Sequence, residues 1–250
     1  MLTSSYIHIP GIGKVVEKKI WSTGTRSWDE FLERKHELPL PCSKSEKICQ
    51  GIEESMDRLE AKDSEYFATS LPSSEHWRAF RSFSDSVAYV DIETTGLSPS
   101  SSKITVIGIY NGNDVKSFVS GINLDDAIEE LLKYKYLVTF NGARFDLPFI
   151  KKEYPQIEFK HLHADIMYSL RRIGYIGGLK QIEEDLGISR TEDTIGIDGL
   201  EAIRLWNRYE RGNDDALDLL LEYNREDIVN LEKIIKLTYE DLMDYTFESQ

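Results

Sequence analysis

Apolar positions recur at two different spacings along the chain, and the change of spacing divides it. Before about residue 80 the spacing is helical. Val15, Val16 and Ile20 mark a first helix that Gly24 ends. Ser27 followed three residues later by Glu30 is a capping box, which starts a second helix through Trp28, Phe31 and Leu32. Glu37 to Ser45, with Pro39, Pro41 and Cys42, predicts a loop. A third helix follows over about 46–66, with Ile48, Ile52, Met56 and Leu59 on one face. Leu71-Pro72-Ser73-Ser74 then breaks the chain.

From Val87 the pattern is that of strands. Val87 to Glu93, Ile104 to Tyr110 and Val115 to Val119 predict an antiparallel meander, the last two joined by the hairpin signal Asn111-Gly112-Asn113. A helix capped by Asn123, a strand over Tyr136 to Phe140, a helix over Arg144 to Glu153 and a strand over Phe159 to Asp165 come next. A long helical pattern from Asp214 carries Leu217, Leu220, Leu221, Ile228, Leu231 and Ile235. The expectation is a small helical domain over 1–80 and an α/β domain over 81–250, with a mixed sheet covered by helices.

Composition narrows the class. With 250 residues, 40% hydrophobic and 30% charged, the chain can bury a sizeable core. It contains no apolar run near the length needed to span a bilayer, and Met1-Leu2-Thr3-Ser4-Ser5 lacks the pattern of a signal peptide, so a soluble, cytoplasmic protein is expected. Cys42 and Cys49 have no second cysteine pair at zinc-finger spacing and read as ordinary thiols, or as a local disulfide. His161 and His163 share a strand face, a pairing that is more often structural than ligating. The net charge of −14 argues against wrapping a duplex through a broad basic surface. Residues 1–80 hold 11 basic and 13 acidic side chains, leaving 19 and 31 for the remainder, so the acidity lies with the α/β part. Divalent cations could offset it there.

Three local patterns carry candidate chemistry. Asp91 and Glu93 are two apart on a strand and project from one face among apolar neighbours, where two like charges are costly unless a cation compensates them. Asp146 follows the turn Asn141-Gly142 in the first turn of a helix, a place that the helix dipole alone would explain. Tyr223 and Asp227 lie one turn apart on one helix face. Each has a plain structural reading: a strand end turning into solvent, a dipole-matched acid, an amphipathic helix.

Together, in this order and spacing, they resemble the DEDD exonuclease superfamily, with Val90-Asp91-Ile92-Glu93-Thr94-Thr95-Gly96-Leu97 as the most specific segment. Glu222 stands where the histidine branch has its histidine, and Tyr223 matches the tyrosine branch (DEDDy). The resemblance spans about 86–237. Ile173-Gly174-Tyr175-Ile176-Gly177-Gly178-Leu179-Lys180-Gln181-Ile182-Glu183 is similar to a prokaryotic ribonuclease H-like subgroup. It implies a ribonuclease H-like α/β fold, in which antiparallel strands 1–3 are followed by parallel ones, with a small all-α N-terminal domain.

The activity implied is 3′-to-5′ exonucleolytic hydrolysis of single-stranded nucleic acid, DNA favoured over RNA, to nucleoside monophosphates. The cofactors implied are two divalent cations, Mg²⁺ or Mn²⁺, held by Asp91, Glu93, Asp146 and Asp227, with Asp91 bridging. Tyr223, whose unperturbed pKa of about 10 makes it a poor base at neutral pH, is expected to orient the attacking water. Thr94, Thr95 and Leu97 would line the terminal nucleotide, Asn141 would reach the scissile phosphate, and Phe145 would stack on a base. Lys180 is the leading basic candidate for a phosphate contact, beside Arg171, Arg172 and Arg204. Ile9-Pro10-Gly11-Ile12-Gly13-Lys14 resembles the hairpin of helix-hairpin-helix modules, which implies a phosphate contact at Gly11, Gly13 and Lys14 as the alternative to a plain capping turn. The rival functions are an endonuclease or exoribonuclease on the same site and a non-catalytic nucleic-acid-binding scaffold.

Overall fold

The structure, a computed structural model, describes residues 1–248. Its N-terminal part is helical: α1 (Lys14–Trp21), α2 (Trp28–Arg34), α3 (Cys42–Glu60), α4 (Ser64–Ser70) and the single turn α5 (Phe80–Phe83). The Ser27 cap forms as expected, with the Glu30 amide donating to Ser27 Oγ at 3.1 Å, while the Glu30 carboxylate accepts from the Arg26 amide, one residue before the cap, at 2.5 Å. The expected third helix differs at both ends. It starts earlier, at Cys42, because Pro41 has the φ of −59° that suits a residue entering a helix. It stops at Glu60, where Lys62 turns left-handed (φ 53°), and Asp63 caps a separate α4 by accepting from the Tyr66 amide at 3.0 Å. Cys42 and Cys49 are both free thiols. Seven residues apart on one continuous helix, they stand about 10 Å apart along its axis, too far for a disulfide.

The α/β part holds β1 (Val87–Thr94), β2 (Ile104–Tyr110), β3 (Val115–Val119), α6 (Asp126–Leu131), β4 (Tyr136–Thr139), α7 (Asp146–Glu153) and β5 (Leu162–Asp165). The helices α8 (Ile166–Arg172), α9 (Leu179–Asp185), α10 (Gly199–Tyr209) and α11 (Asp214–Glu248) follow. The sheet has five strands in the order β3-β2-β1-β4-β5. β1 pairs antiparallel with β2 and parallel with β4, β2 pairs antiparallel with β3, and β4 runs parallel to β5, as expected of the mixed sheet. Asn123 does not cap α6: its side chain accepts from the Val119 amide at 2.7 Å and closes the turn after β3. β5 is shorter than its apolar run, and α7 begins two residues late because Asn141 to Phe145 form a turn.

Strand alternation decides what the site can reach. Ala88, Val90 and Ile92 point to one face of the sheet, where Ala127 and Leu131 of α6 and Phe149 and Ile150 of α7 pack. Val87 and Tyr89 point to the other, where α11 supplies Ile228, Leu231, Ile234 and Ile235. That core continues without a break into Trp21, Trp28, Phe31 and Phe67 of the N-terminal helices. Asp91 and Glu93 share the parity of Val87 and Tyr89, so they face α11.

Candidate metal centre

α11 lies close to the sheet because β2 carries a glycine where it crosses. Gly108 pairs with Asp91, and a Cβ at Gly108 would fall 1.9 Å from Asn224 Oδ1. This close approach brings two side chains of α11 to the strand acids. Asn224 donates to Asp91 Oδ2 at 2.8 Å, and Asp227 comes to within 4.8 Å of both Asp91 and Glu93, counted between one oxygen of each. Asp227 and Glu93 are buried and Asp91 is half-buried.

Asp146 lies outside that set of three but within its electrostatic reach. The turn before it is held by Asp165, which accepts from the Asn141 amide at 2.8 Å and the Ala143 amide at 3.0 Å. Asn141 takes a left-handed φ of 62°, and a Cβ on Gly142 would strike Thr139 Oγ1 at 2.2 Å. The Asn-Gly pair is therefore what lets β4 turn sharply enough to place Asp146 in the first turn of α7. Asp146 is 2% exposed, and its Oδ1 is buried with no hydrogen-bond partner.

The acids perturb one another. Burial, then Asp227, Asp146 and Glu93, push the Asp91 carboxyl well above the usual range. Glu93 is raised the same way, by burial and then by Asp227 and Asp146. Asp146 is pushed up to about 7 by burial against the opposing backbone amides of Asp146 and Ile92, with Asp165 and Asp227 adding to the rise. Asp227 is raised to about 6 by burial although Arg190 opposes it. Such mutual elevation marks carboxylates assembled without enough compensating charge, and oxygen donors of this type suit a hard divalent cation. The unpartnered Asp146 oxygen and the three converging acids fit a divalent cation.

Tyr223 sits on the same face of α11, 8% exposed. Burial, then Asp227, Glu93 and Asp91, push its phenol far above the usual value, so the hydroxyl keeps its proton at neutral pH. Lys180 Nζ lies 4.9 Å from the Tyr223 ring centre and is buried without a hydrogen-bond partner. Burial and then Arg190 lower its pKa.

The remaining expected contacts are spread around this centre. Thr94 is buried and donates to the Gly96 carbonyl at 2.6 Å, while Thr95 Oγ1 accepts from the Lys103 amide at 3.0 Å. Leu97 is 70% exposed at the mouth of the β1–β2 loop, and Phe145 packs on Phe149 with ring centres 4.8 Å apart. Arg204 pairs with Glu201 at 3.0 Å on α10, and Arg172 reaches Glu75 at 3.0 Å. Gly11 takes a left-handed φ of 80° before α1, and Lys47 Nζ would lie 3.1 Å from a Cβ there. Lys14 pairs with Glu75 at 2.7 Å.

Three residues that sequence reasoning passed over take part in the centre: Asn224, Arg190 and Gly108. Asn224 was readable in principle, since Asn224, Asp227 and Asn230 interrupt an otherwise apolar helix stripe at three-residue spacing. Arg190 had no such signal, because nothing in a loop's sequence says which helix it will meet.

Residues 88–239 match the RNase H superfamily, so the chain belongs to that superfamily. It is 29% identical over 168 residues to an uncharacterised protein of Methanocaldococcus jannaschii, a match covering 60% of this chain and 93% of that protein. Among solved structures it resembles the family B DNA polymerase of the hyperthermophilic archaeon Pyrobaculum calidifontis, with a TM-score of 0.50 and 13% identity, over 61% of this chain and 24% of the polymerase. That likeness is one of fold. Among the described residues, no helix is long and apolar enough to cross a membrane.

Proposed function

We propose that the protein is a metal-dependent nuclease, and specifically a 3′-to-5′ exonuclease that trims single-stranded nucleic acid, DNA in preference to RNA, to nucleoside monophosphates. The observation that carries this reading is the convergence of Asp91, Glu93 and Asp227 within 4.8 Å, beside a buried, unpartnered Asp146 oxygen and Tyr223. Asp91, Glu93, Asp146 and Asp227 would hold the divalent ions. When bound, such ions supply acidified water and charge relief on the phosphate and the leaving oxygen.

The chain's own groups do the rest. Asn224 fixes Asp91 through its 2.8 Å hydrogen bond. Tyr223, kept protonated, serves as a hydroxyl that orients water rather than as a base. Lys180 presents an unpartnered ammonium to a phosphate oxygen. Exposed Leu97 and half-buried Phe145 offer apolar surface to the last bases, and the Thr94–Thr95 turn lies against the terminal sugar. Residues 1–80 act as an accessory helical unit in which the Gly11–Gly13 turn meets a phosphate further along the strand.

Incubating end-labelled single-stranded DNA and RNA with Mg²⁺ or Mn²⁺ tests the reading. The expected result is mononucleotides released from the 3′ end, faster from DNA. Internal fragments would replace the exonuclease by an endonuclease, and no cleavage with either ion would leave a binding scaffold.

A further inference from the structure

Among the described residues, one cation directly contacts the acid cluster. Arg190 lies on the segment between α9 and α10, with its side chain 6% exposed. Its Nε donates to Glu183 Oε2 at 2.6 Å, and its Nη2 donates both to Glu183 Oε1 at 2.8 Å and to Asp227 Oδ1. Asn230 adds a hydrogen bond to Glu183 Oε1 at 2.9 Å. The guanidinium lies 5.5 Å from the Tyr223 ring centre, and its Nη1 is buried with no partner. With Glu183 included, five carboxylates meet two cationic side chains, Lys180 and Arg190, so a deficit of positive charge remains.

We infer that Arg190 is a resident counter-cation of the metal centre: it occupies Asp227 when no divalent ion is bound and gives up that contact, while keeping Glu183, when one binds. The inference rests on the metal reading above. Both cations seek the same carboxylate, and two positive groups on one carboxylate repel. Glu183 limits the cost of the exchange, because its two oxygens still hold Nε and one N–H of Nη2 after Asp227 is released. The segment itself is anchored elsewhere. The Thr191 amide donates to Glu226 Oε1 at 2.8 Å and Thr194 Oγ1 donates to Glu226 Oε2, so the side chain can shift without undocking the loop. Arg190 is thus a positioning residue, acting on the reaction through Asp227.

Two opposite outcomes separate this role from that of an arginine that merely orients Asp227 for the metal. Mn²⁺ binding to the full chain is measured by calorimetry without substrate, for the unaltered protein, Arg190→Met and Arg190→Gln, with thermal unfolding in the absence and presence of Mn²⁺. Removing a like charge at about 5 Å is expected to tighten Mn²⁺ binding about tenfold. Both variants should melt earlier than the unaltered protein without metal and recover most of the loss with it. Unchanged or weaker Mn²⁺ binding by the variants overturns the inference while leaving the metal reading intact. No Mn²⁺ binding by the unaltered protein overturns both. If neither variant folds without metal, refolding in Mn²⁺ must rescue them, and failure to do so counts against the exchange.

Discussion

The buried charges beneath the N-terminal helices and those at the end of β1 are built on opposite terms. Beneath the N-terminal helices, Glu17, Glu75 and Arg78 are each at most 2% exposed, and every acid has a cation. Arg78 Nη1 meets Glu17 Oε2 at 2.9 Å, Arg78 Nε meets Glu75 Oε2 at 2.8 Å, and Lys14 and Arg172 reach Glu75 from the rim. Burial alone would raise the Glu75 carboxyl, yet Arg78, Lys14 and Arg172 hold it at about 2. At the end of β1 the acids outnumber the cations, and burial lifts all four carboxyls. The first group closes its own circuit and ties α1 to α8. The second is left open, and that openness makes it a site for an added cation rather than a structural pin.

The comparison breaks most visibly at Asp91. Asp91→Asn is expected to reduce metal-dependent cleavage by about 1,000-fold or more, as loss of a principal ligand should. It should at the same time raise the unfolding temperature of the metal-free protein, since it removes one of the mutually repelling acids; a fall would show that the cluster is already compensated. The mirror experiment is Arg78→Met, which strands Glu17 and Glu75 and should cost about 3–5 kcal/mol of stability in urea titrations, with no stabilisation by Mn²⁺ beyond that of the unaltered protein. Gly108→Ala tests the close approach that assembles the site. The added methyl group would push α11 off the strand, costing about 1–3 kcal/mol and weakening Mn²⁺ binding together. Tyr223→Phe should slow turnover by about 10- to 100-fold and leave Mn²⁺ affinity nearly unchanged; a large loss of affinity would contradict the role in orienting water.

Acid should unpick the closed group while metal is absent. Glu75 keeps its folded-state pKa near 2, below the ordinary 4.5, so its contribution is full above about 4.5 and is lost as the pH falls through 2. His8, buried against Trp28 and Phe67, is lowered by burial and by Arg78 to about 4 from 6.5, so the folded protein resists its protonation and stability declines from about 6.5 down to 4. Over the same range the raised carboxyls of the metal centre take up protons and stabilise the metal-free fold, so the His8 part is read by difference: the urea midpoint of the unaltered protein relative to His8→Gln, followed by tryptophan fluorescence, should fall between pH 7 and 4.

Much of this was legible in the residues, for identifiable reasons. The acids of β1 stood out because strict alternation assigns each strand residue a face, and Asp91 and Glu93 share theirs. The mixed character of the sheet followed from a hairpin signal and two helix-separated strands. Helix ends were less legible: α3 breaks at Lys62 through a left-handed turn that its composition does not announce, and α6 is displaced because Asn123 serves a turn instead of a cap. Asn224 and Arg190 were missed because their partners among the metal-centre acids, Asp91 and Asp227, are distant in the chain, and propensity says nothing about tertiary charge pairing.

α11 carries a consequence beyond the chemistry. Its 35 residues form one uninterrupted rod that presents Tyr223, Asn224 and Asp227 to the sheet and then runs on under the N-terminal helices. There Tyr239 packs edge-on against Trp77, and Phe247 against Trp21 with ring centres 4.9 Å apart. Those two tryptophans lie outside the stretch matched by the superfamily, about 20 to 30 Å along the rod from Asp227. The leading helices therefore serve as a splint: they clamp the far end of a lever whose near end sets the ligand position, so a graft of the α/β part alone would inherit the acids without the brace that keeps them in register.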